Sequence, residues 1–252
     1  MSLVKTEAII LGRKNFRVND RIFLLYGKNE GKLELLGKGT RKKESKLAGS
    51  LEAFALADIM FARGRGFDYV TAVKVLKKYN IYQSLLVSGW LALIVEIINS
   101  HLKPKYKEKE IFDLLKNLLE NLEKNMDEEK SLNLILAAIF SLINILGFCP
   151  ELFFCQECRA KISPPDNYFS SAKGGLLCPS CRKTDPSSIK VSAPAIKIIR
   201  FFLNNDLDRV AVLQIKRENY LELKRVLFIY LPYILEDEFK SLRFIEKAAT
   251  PT

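Results

Sequence analysis

Hydrophobic and polar positions change their rhythm at about residue 80. Before it, short β-rich runs alternate with turn residues. Val4–Leu11 and Arg21–Tyr26 read as strands, Gly27-Lys28-Asn29-Glu30-Gly31 as a turn, and Lys32–Leu36 as the returning strand. Leu51–Phe61 and Phe67–Leu76 complete five strands, with Gly64-Arg65-Gly66 as the bend between the last two. Five short strands in this length predict a small closed barrel, for which the OB-fold is one solution that periodicity alone does not select. From Ile81 onwards, apolar residues recur at three- and four-residue spacing in Gln83–His101, Lys109–Lys124 and Glu128–Leu146, and again in Ala193–Asn204 and Glu218–Leu235. Ser192-Ala193-Pro194 reads as a helix start. A cysteine-rich stretch with Pro164-Pro165 and Gly174-Gly175, residues 149–186, reads as a loop-like module inserted among the helices. The expected class is α+β: a barrel domain over 1–80, then a helical domain over 81–252 that carries the insertion.

The two most apolar stretches, Leu85–Ile98 and Leu134–Phe148, are shorter than the roughly 20 residues that span a bilayer, and both contain polar residues. They read as buried helices. The N-terminus meets charge before any long apolar run, so no export signal is expected and a cytoplasmic protein is.

Charge sharpens the contrast between the two regions. The chain carries a net +11, but residues 1–80 hold 17 Lys and Arg against 8 Asp and Glu, while the remainder holds 23 against 21. An excess confined to one region points to a polyanionic partner for that region. Its densest run supplies Lys38, Arg41, Lys42, Lys43 and Lys46, which cannot be buried unpaired and so should form an exposed loop. Arg13, Lys14, Arg17 and Arg21 make a second cluster. In a barrel, both clusters can lie along one groove and track a phosphate backbone. Phe16, Phe23, Tyr26, Phe67 and Tyr69 are candidate rings for base stacking, with ordinary barrel core as the competing role for each.

Four of the five cysteines form Cys155-x-x-Cys158 and Cys178-x-x-Cys181 with 19 residues between the pairs, the spacing of a zinc ribbon. Each pair places two thiolates on one side of a tight knuckle, and two knuckles close a tetrahedron around one Zn²⁺. A disulfide would require an oxidising compartment, and a redox pair would not require a second copy at this spacing. Four sulfurs leave no open position for water, so the expected ion is structural. Cys149 is expected to be a buried small hydrophobe. With His101 the only histidine, no histidine-based catalytic triad is in reach, and Gly31 to Gly39 fails the phosphate-loop pattern. No catalytic residues and no enzyme are expected.

Several segments then become familiar. Leu36-Gly37-Lys38-Gly39-Thr40-Arg41-Lys42-Lys43-Glu44-Ser45-Lys46 with Leu51-Glu52-Ala53-Phe54 resembles the basic Lys-Gly-x-Arg-x-x-x-Ser link between two strands in the N-terminal OB-fold of RecO proteins. Asn19-Asp20-Arg21 is similar to that family's strand-opening segment. Leu146-Gly147-Phe148, Tyr168-Phe169-Ser170 and Gly174-Gly175-Leu176-Leu177-Cys178 are similar to its zinc-bearing insertion, and Tyr230-Leu231 with Lys240-Ser241-Leu242-Arg243-Phe244 to its closing helix and tail. The resemblance implies a non-enzymatic DNA-repair and recombination mediator of the bacterial nucleoid. Such a protein binds single- and double-stranded DNA and anneals complementary strands. It works with RecR and often RecF, engages the acidic C-terminal tail of single-strand-binding protein, and helps load RecA. An RNA-binding protein of the translation apparatus and a pure protein adaptor are the competing classes.

Overall fold

A computed structural model describes residues 2–42, 51–81 and 83–248. The chain divides into two compact units, and the division is not a single cut. The first takes residues 1–81 and 94–124; the second takes 82–93 and 125–252.

In the first unit, β1 (Leu3–Phe16), β2 (Asp20–Gly27), β3 (Gly31–Gly37), β4 (Ala55–Ala62) and β5 (Asp68–Lys78) close a barrel in the order β1-β2-β3-β5-β4. All neighbours are antiparallel except β3 and β5. The long β1 makes closure possible: its first half pairs with β4 and its second half with β2, with a bulge between Ile10 and Gly12 that bends it from one partner to the other. Inward positions carry Ala8, Ile10, Phe23, Leu25, Leu33, Leu35, Ala57, Ile59 and Phe61, all buried. β2 and β3 are buried on their outer face too, which is why they read as nearly unbroken apolar runs. The cover includes α2 (Lys109–Lys124), whose Ile111, Phe112, Leu115, Leu118, Leu119 and Leu122 form one buried stripe.

Lys32 is a buried cation held for a structural purpose. Its Nζ donates to the carbonyl oxygens of Asn99, at 2.5 Å, and Leu102, at 3.0 Å, around the end of α1 (Leu85–His101). A helix C-terminus offers unpaired carbonyls and partial negative charge, so this is where a buried ammonium can be kept. Burial lowers its pKa, partly opposed by Glu34.

The second unit is built on α3 (Glu128–Ile145), which is buried along nearly its whole surface from Ser131 to Ile143. Around it lie α4 (Ala193–Asn204), α5 (Leu207–Ala211), α6 (Arg217–Leu235) and α7 (Lys240–Ala248). Asp127 caps α3 from an extended backbone, its Oδ1 accepting from the Lys130 amide at 3.0 Å. Asp127→Ala is expected to cost about 1 kcal/mol in urea unfolding; an unchanged midpoint would show the cap to be idle. Ser192 caps α4 in the same way, with Pro194 in the first turn as anticipated. Trp90 is fully buried and donates its indole N–H to the Tyr220 hydroxyl at 3.1 Å.

The inserted stretch differs from the loop-like reading. β6 (Asn167–Ser170), β7 (Gly175–Leu177) and β8 (Ile189–Val191) form a small sheet in the order β7-β6-β8. Strands of three or four residues are too short for alternation to register as a pattern. Phe169 from this sheet meets Tyr230 of α6 edge-on at 5.1 Å, and the Tyr230 hydroxyl donates to the Phe148 carbonyl at 3.0 Å.

Candidate four-cysteine centre and nucleic-acid interface

The two Cys-x-x-Cys knuckles meet. The four sulfurs of Cys155, Cys158, Cys178 and Cys181 all lie within 4.8 Å of one another. Cys158 and Cys178 stand 3.8 Å apart, the edge of a tetrahedron whose metal–sulfur bond is about 2.3 Å. Backbone geometry sets each knuckle. The Arg159 amide, at φ +60°, turns back to the Cys155 carbonyl, and the Cys181 amide to the Cys178 carbonyl. Burial acts to raise the Cys155 thiol, but amides of Cys158, Cys178 and Glu157 outweigh it and hold the thiol at about 6. Cys181 is pushed up to about 12, first by its hydrogen bond to Cys158, then by burial and the other sulfurs. Opposed shifts of this kind mark sulfurs crowded together, whose shared negative charge a cation would neutralise. These residues could hold one metal ion with every ligand position filled by protein. Nearby, Asp185 accepts from Ser170 at 2.5 Å and from both the amide and hydroxyl of Ser187; the two serine hydroxyls hold its carboxyl below the usual range.

Cys149 stands outside this cluster and is exposed, where a buried position was expected. The chain leaves α3 through Gly147 at φ +87°, and the helix ends before the sulfur reaches the core.

At one end of the barrel, three connections converge. Following the strand pairing once around the barrel shows why. Leu3 faces Ala62, Ala62 faces Tyr69, Tyr69 faces Leu36, Leu36 faces Ile22, and Ile22 faces Lys14. The path returns to β1 at Lys14 rather than at Leu3. This stagger is a consequence of strand tilt in a closed barrel, and it lifts the start of β5 to the level where β1 and β3 end. The β1–β2 turn, the segment after β3 and the β4–β5 turn therefore lie side by side.

Backbone bonds lock the first two together. The Gly39 amide donates to Asp20 Oδ1 at 2.8 Å, and the Arg41 amide to the Asn19 carbonyl at 3.0 Å. The Arg41 guanidinium reaches the Arg17 carbonyl at 3.2 Å, and Arg21 reaches the Thr40 carbonyl at 3.4 Å. Ring contacts attach the third: Phe16 lies 5.2 Å from Phe67, and Lys38 Nζ sits 4.5 Å over Tyr69. Gly64 permits the close approach, since a Cβ there would stand 2.1 Å from the Phe67 carbonyl oxygen and 2.7 Å from the Tyr69 ring.

Charge pairing separates this end from the rest of the barrel. Elsewhere most of the barrel's cations are matched, Lys5 to Asp58, Lys14 to Glu34, Arg63 to Glu30, Lys77 to Glu123 and Lys78 to Glu52, while Arg13, Lys28 and Lys74 stand apart from one another without such a pair among the described residues. Among the described residues, no carboxylate lies within ion-pair distance of Arg17, Arg21, Lys38, Arg41, Lys42 or Arg65.

Against known families, residues 1–79 match the model for the Recombination protein O N terminal domain, and residues 83–243 match that for the C terminal domain. The chain belongs to the RecO family. The DNA repair protein RecO of Dehalococcoides mccartyi is 32% identical over 245 residues, covering 96% of this chain and 94% of that one. Those of Thermoanaerobacter sp. and Alkaliphilus metalliredigens are 28% and 27% identical, and each match covers 97% of this chain. No helix among the described residues is long and apolar enough to cross a membrane.

Of the basic residues singled out in this RecO chain's sequence, the fold gathers Arg17, Arg21, Lys38, Arg41 and Lys42 at the barrel end. Lys43 and Lys46 lie outside the described residues. Arg13 and Lys14 are adjacent on a strand and so face opposite ways. Lys14 is taken up by Glu34 at 3.4 Å, twenty positions away in sequence; Arg13 acts on the Glu52 carboxylate. Of the five candidate rings, Phe23 and Tyr26 are fully buried, and the Tyr26 hydroxyl is bound to the backbone of Glu108. Phe16, Phe67 and Tyr69 remain partly exposed. Arg65 joins this end as well, although in the sequence its place between two glycines marks only a turn and nothing local shows which loops that turn adjoins.

Proposed function

We propose that this RecO-family chain is a non-enzymatic recombination mediator whose barrel, acting as an OB-fold, binds single- and double-stranded DNA at the end where its three loops converge. The convergence of cations with no carboxylate partner carries this reading. Charge of one sign held together costs stability, and a phosphate backbone is the polyanion that would offset it. In an OB-fold the β1–β2 and β4–β5 loops are the ones that flank a bound strand. Phosphates of two complementary strands would be neutralised there with release of counterions, which lowers the repulsion opposing pairing. Base pairing supplies the sequence specificity. The reading extends to loading RecA on DNA coated with single-strand-binding protein, with RecR, RecF and the acidic tail of single-strand-binding protein as partners. The setting is a bacterial cytoplasm, at the nucleoid.

The same reading makes Zn²⁺ the ion of the four-cysteine centre. Four thiolates at tetrahedral spacing are the donor set this ion favours, and a closed site gives it folding rather than chemistry.

Annealing of complementary oligonucleotides without ATP, over a range of salt, tests the proposal. Lys38→Ala with Arg41→Ala is expected to slow annealing and to flatten the salt dependence of single-strand binding by about 0.7 in log–log slope for each phosphate that is no longer neutralised. An unchanged slope would remove the loop from the interface. Tighter binding of a matched RNA strand would turn the assignment from DNA towards RNA.

A further inference from the structure

We propose that Phe16, Phe67 and Tyr69 form a ledge on which unpaired bases stack, so that the barrel end engages the bases of a single strand and not only its phosphates. The inference rests on the reading of this end as a nucleic-acid site and adds to it a chemical class of contact.

The three rings stand apart from the barrel's interior. None belongs to the core cluster, and all three keep partial exposure where Phe23 and Phe61 keep none. They come from different elements, Phe16 from the end of β1, Phe67 from the β4–β5 turn and Tyr69 from the start of β5. The barrel stagger brings them together, with Phe16 and Phe67 5.2 Å apart and tilted at 58°. The local backbone is built to hold them: Asp68 Oδ1 accepts from the Gly64 amide at 3.1 Å, and Gly64 leaves room for the Tyr69 ring to pack against the turn.

What covers the rings is also informative. Arg17 lies over the face of Phe16 at 5.2 Å and Lys38 over that of Tyr69 at 4.5 Å. Both cations are exposed, so these contacts are weak. A phosphate is a stronger partner for either cation than a ring face. A strand arriving at this end would draw Arg17 and Lys38 onto its backbone and leave two ring faces open beside its bases. Any base has a face to offer, so the contact is indifferent to sequence, but it requires bases that are not already stacked within a duplex.

The test compares binding of a short oligothymidylate with that of an abasic strand of equal length and charge, by fluorescence anisotropy of the full chain. The oligothymidylate is expected to bind about tenfold more tightly. Phe16→Ala with Phe67→Ala and Tyr69→Ala should bring the two strands to parity. Should that variant fold poorly, leucine at all three positions keeps apolar volume without an aromatic face and should still close the gap, whereas Phe16→Tyr with Phe67→Tyr should preserve it. Equal binding of both strands by the unaltered protein overturns the ledge and leaves the phosphate-binding site standing. So does a gap that survives the alanine and leucine variants. Failure to bind either strand overturns the site and the ledge together.

Discussion

On the proposed zinc reading, Cys155→Ser is expected to abolish metal binding and unfold the segment from Cys149 to Val191 while leaving the barrel folded. Cys155 is the fully buried sulfur of the four, and it is tied to the partner knuckle by a backbone bond, from the Cys178 amide at 3.4 Å. Serine removes a thiolate that a soft-ligand site depends on and leaves a hydroxyl in its place. The segment has little else to hold it. Its strands are three and four residues long, and its buried apolar side chains are few, chiefly Leu152, Phe169, Leu176, Leu177 and Val191. Apparent binding energies of structural zinc, about 10–16 kcal/mol, are comparable to the whole stability of a domain, about 5–15 kcal/mol. Loss of the ion is therefore expected to be decisive for this segment. Elemental analysis should fall from one ion per chain to near zero, and thermal unfolding should show an early transition. Cys149→Ser is the matched control, since Cys149 is exposed and lies outside the cluster, and it should change neither quantity. A Cys155→Ser protein that kept its ion and its melting temperature would show that the cysteines do not form a metal centre.

How far the sequence led depended on the range of each signal. Long elements were legible because periodicity accumulates over many residues. The α2 span Lys109–Lys124 agrees with its apolar stripe from end to end, and α3 begins at Glu128, where its apolar repeat begins. The β-rich run of β1 ends at Leu11 in the sequence, yet the strand continues to Phe16. Arg13, Lys14 and Asn15 carry no apolar alternation and are held extended by the ladder to β2 alone. The four-cysteine centre was legible because its geometry is written locally, twice, at ligand spacing. The barrel end was legible only in part. The basic run could be seen, but which cations remain unpaired depends on partners distant in sequence, as Glu34 is for Lys14. Arg65 becomes relevant only once the stagger is known, and stagger is a property of the whole closed sheet.

Gly31→Ala carries the second large expected effect, a loss of about 3–5 kcal/mol. Gly31 opens β3 at φ +65°, a conformation that costs a residue with a side chain about 1–2 kcal/mol. The larger difficulty is space. A Cβ at this position would stand 1.9 Å from the carbonyl oxygen of Tyr106 and 2.6 Å from its carbon, both backbone atoms that no rotamer change can move. Relief would require the segment after α1 to withdraw from the barrel. That would disturb the bonds from the Lys105 amide to the Lys32 carbonyl at 2.9 Å and from the Lys32 amide to the Tyr106 carbonyl at 3.3 Å, together with those linking the Tyr26 hydroxyl to Glu108. Each is worth about 1 kcal/mol when exchanged for water and more when a buried partner is stranded. Lys32 makes the withdrawal costlier, because its ammonium is buried against the carbonyls of Asn99 and Leu102 and would keep only Glu34, at 4.0 Å, as a partner. Gly66→Ala offers the contrast, with nothing within 4 Å of its Cβ and no positive φ; it should shift the urea midpoint only slightly. If the two variants unfolded at the same urea concentration, the contact between β3 and the segment around Tyr106 would not exist in solution.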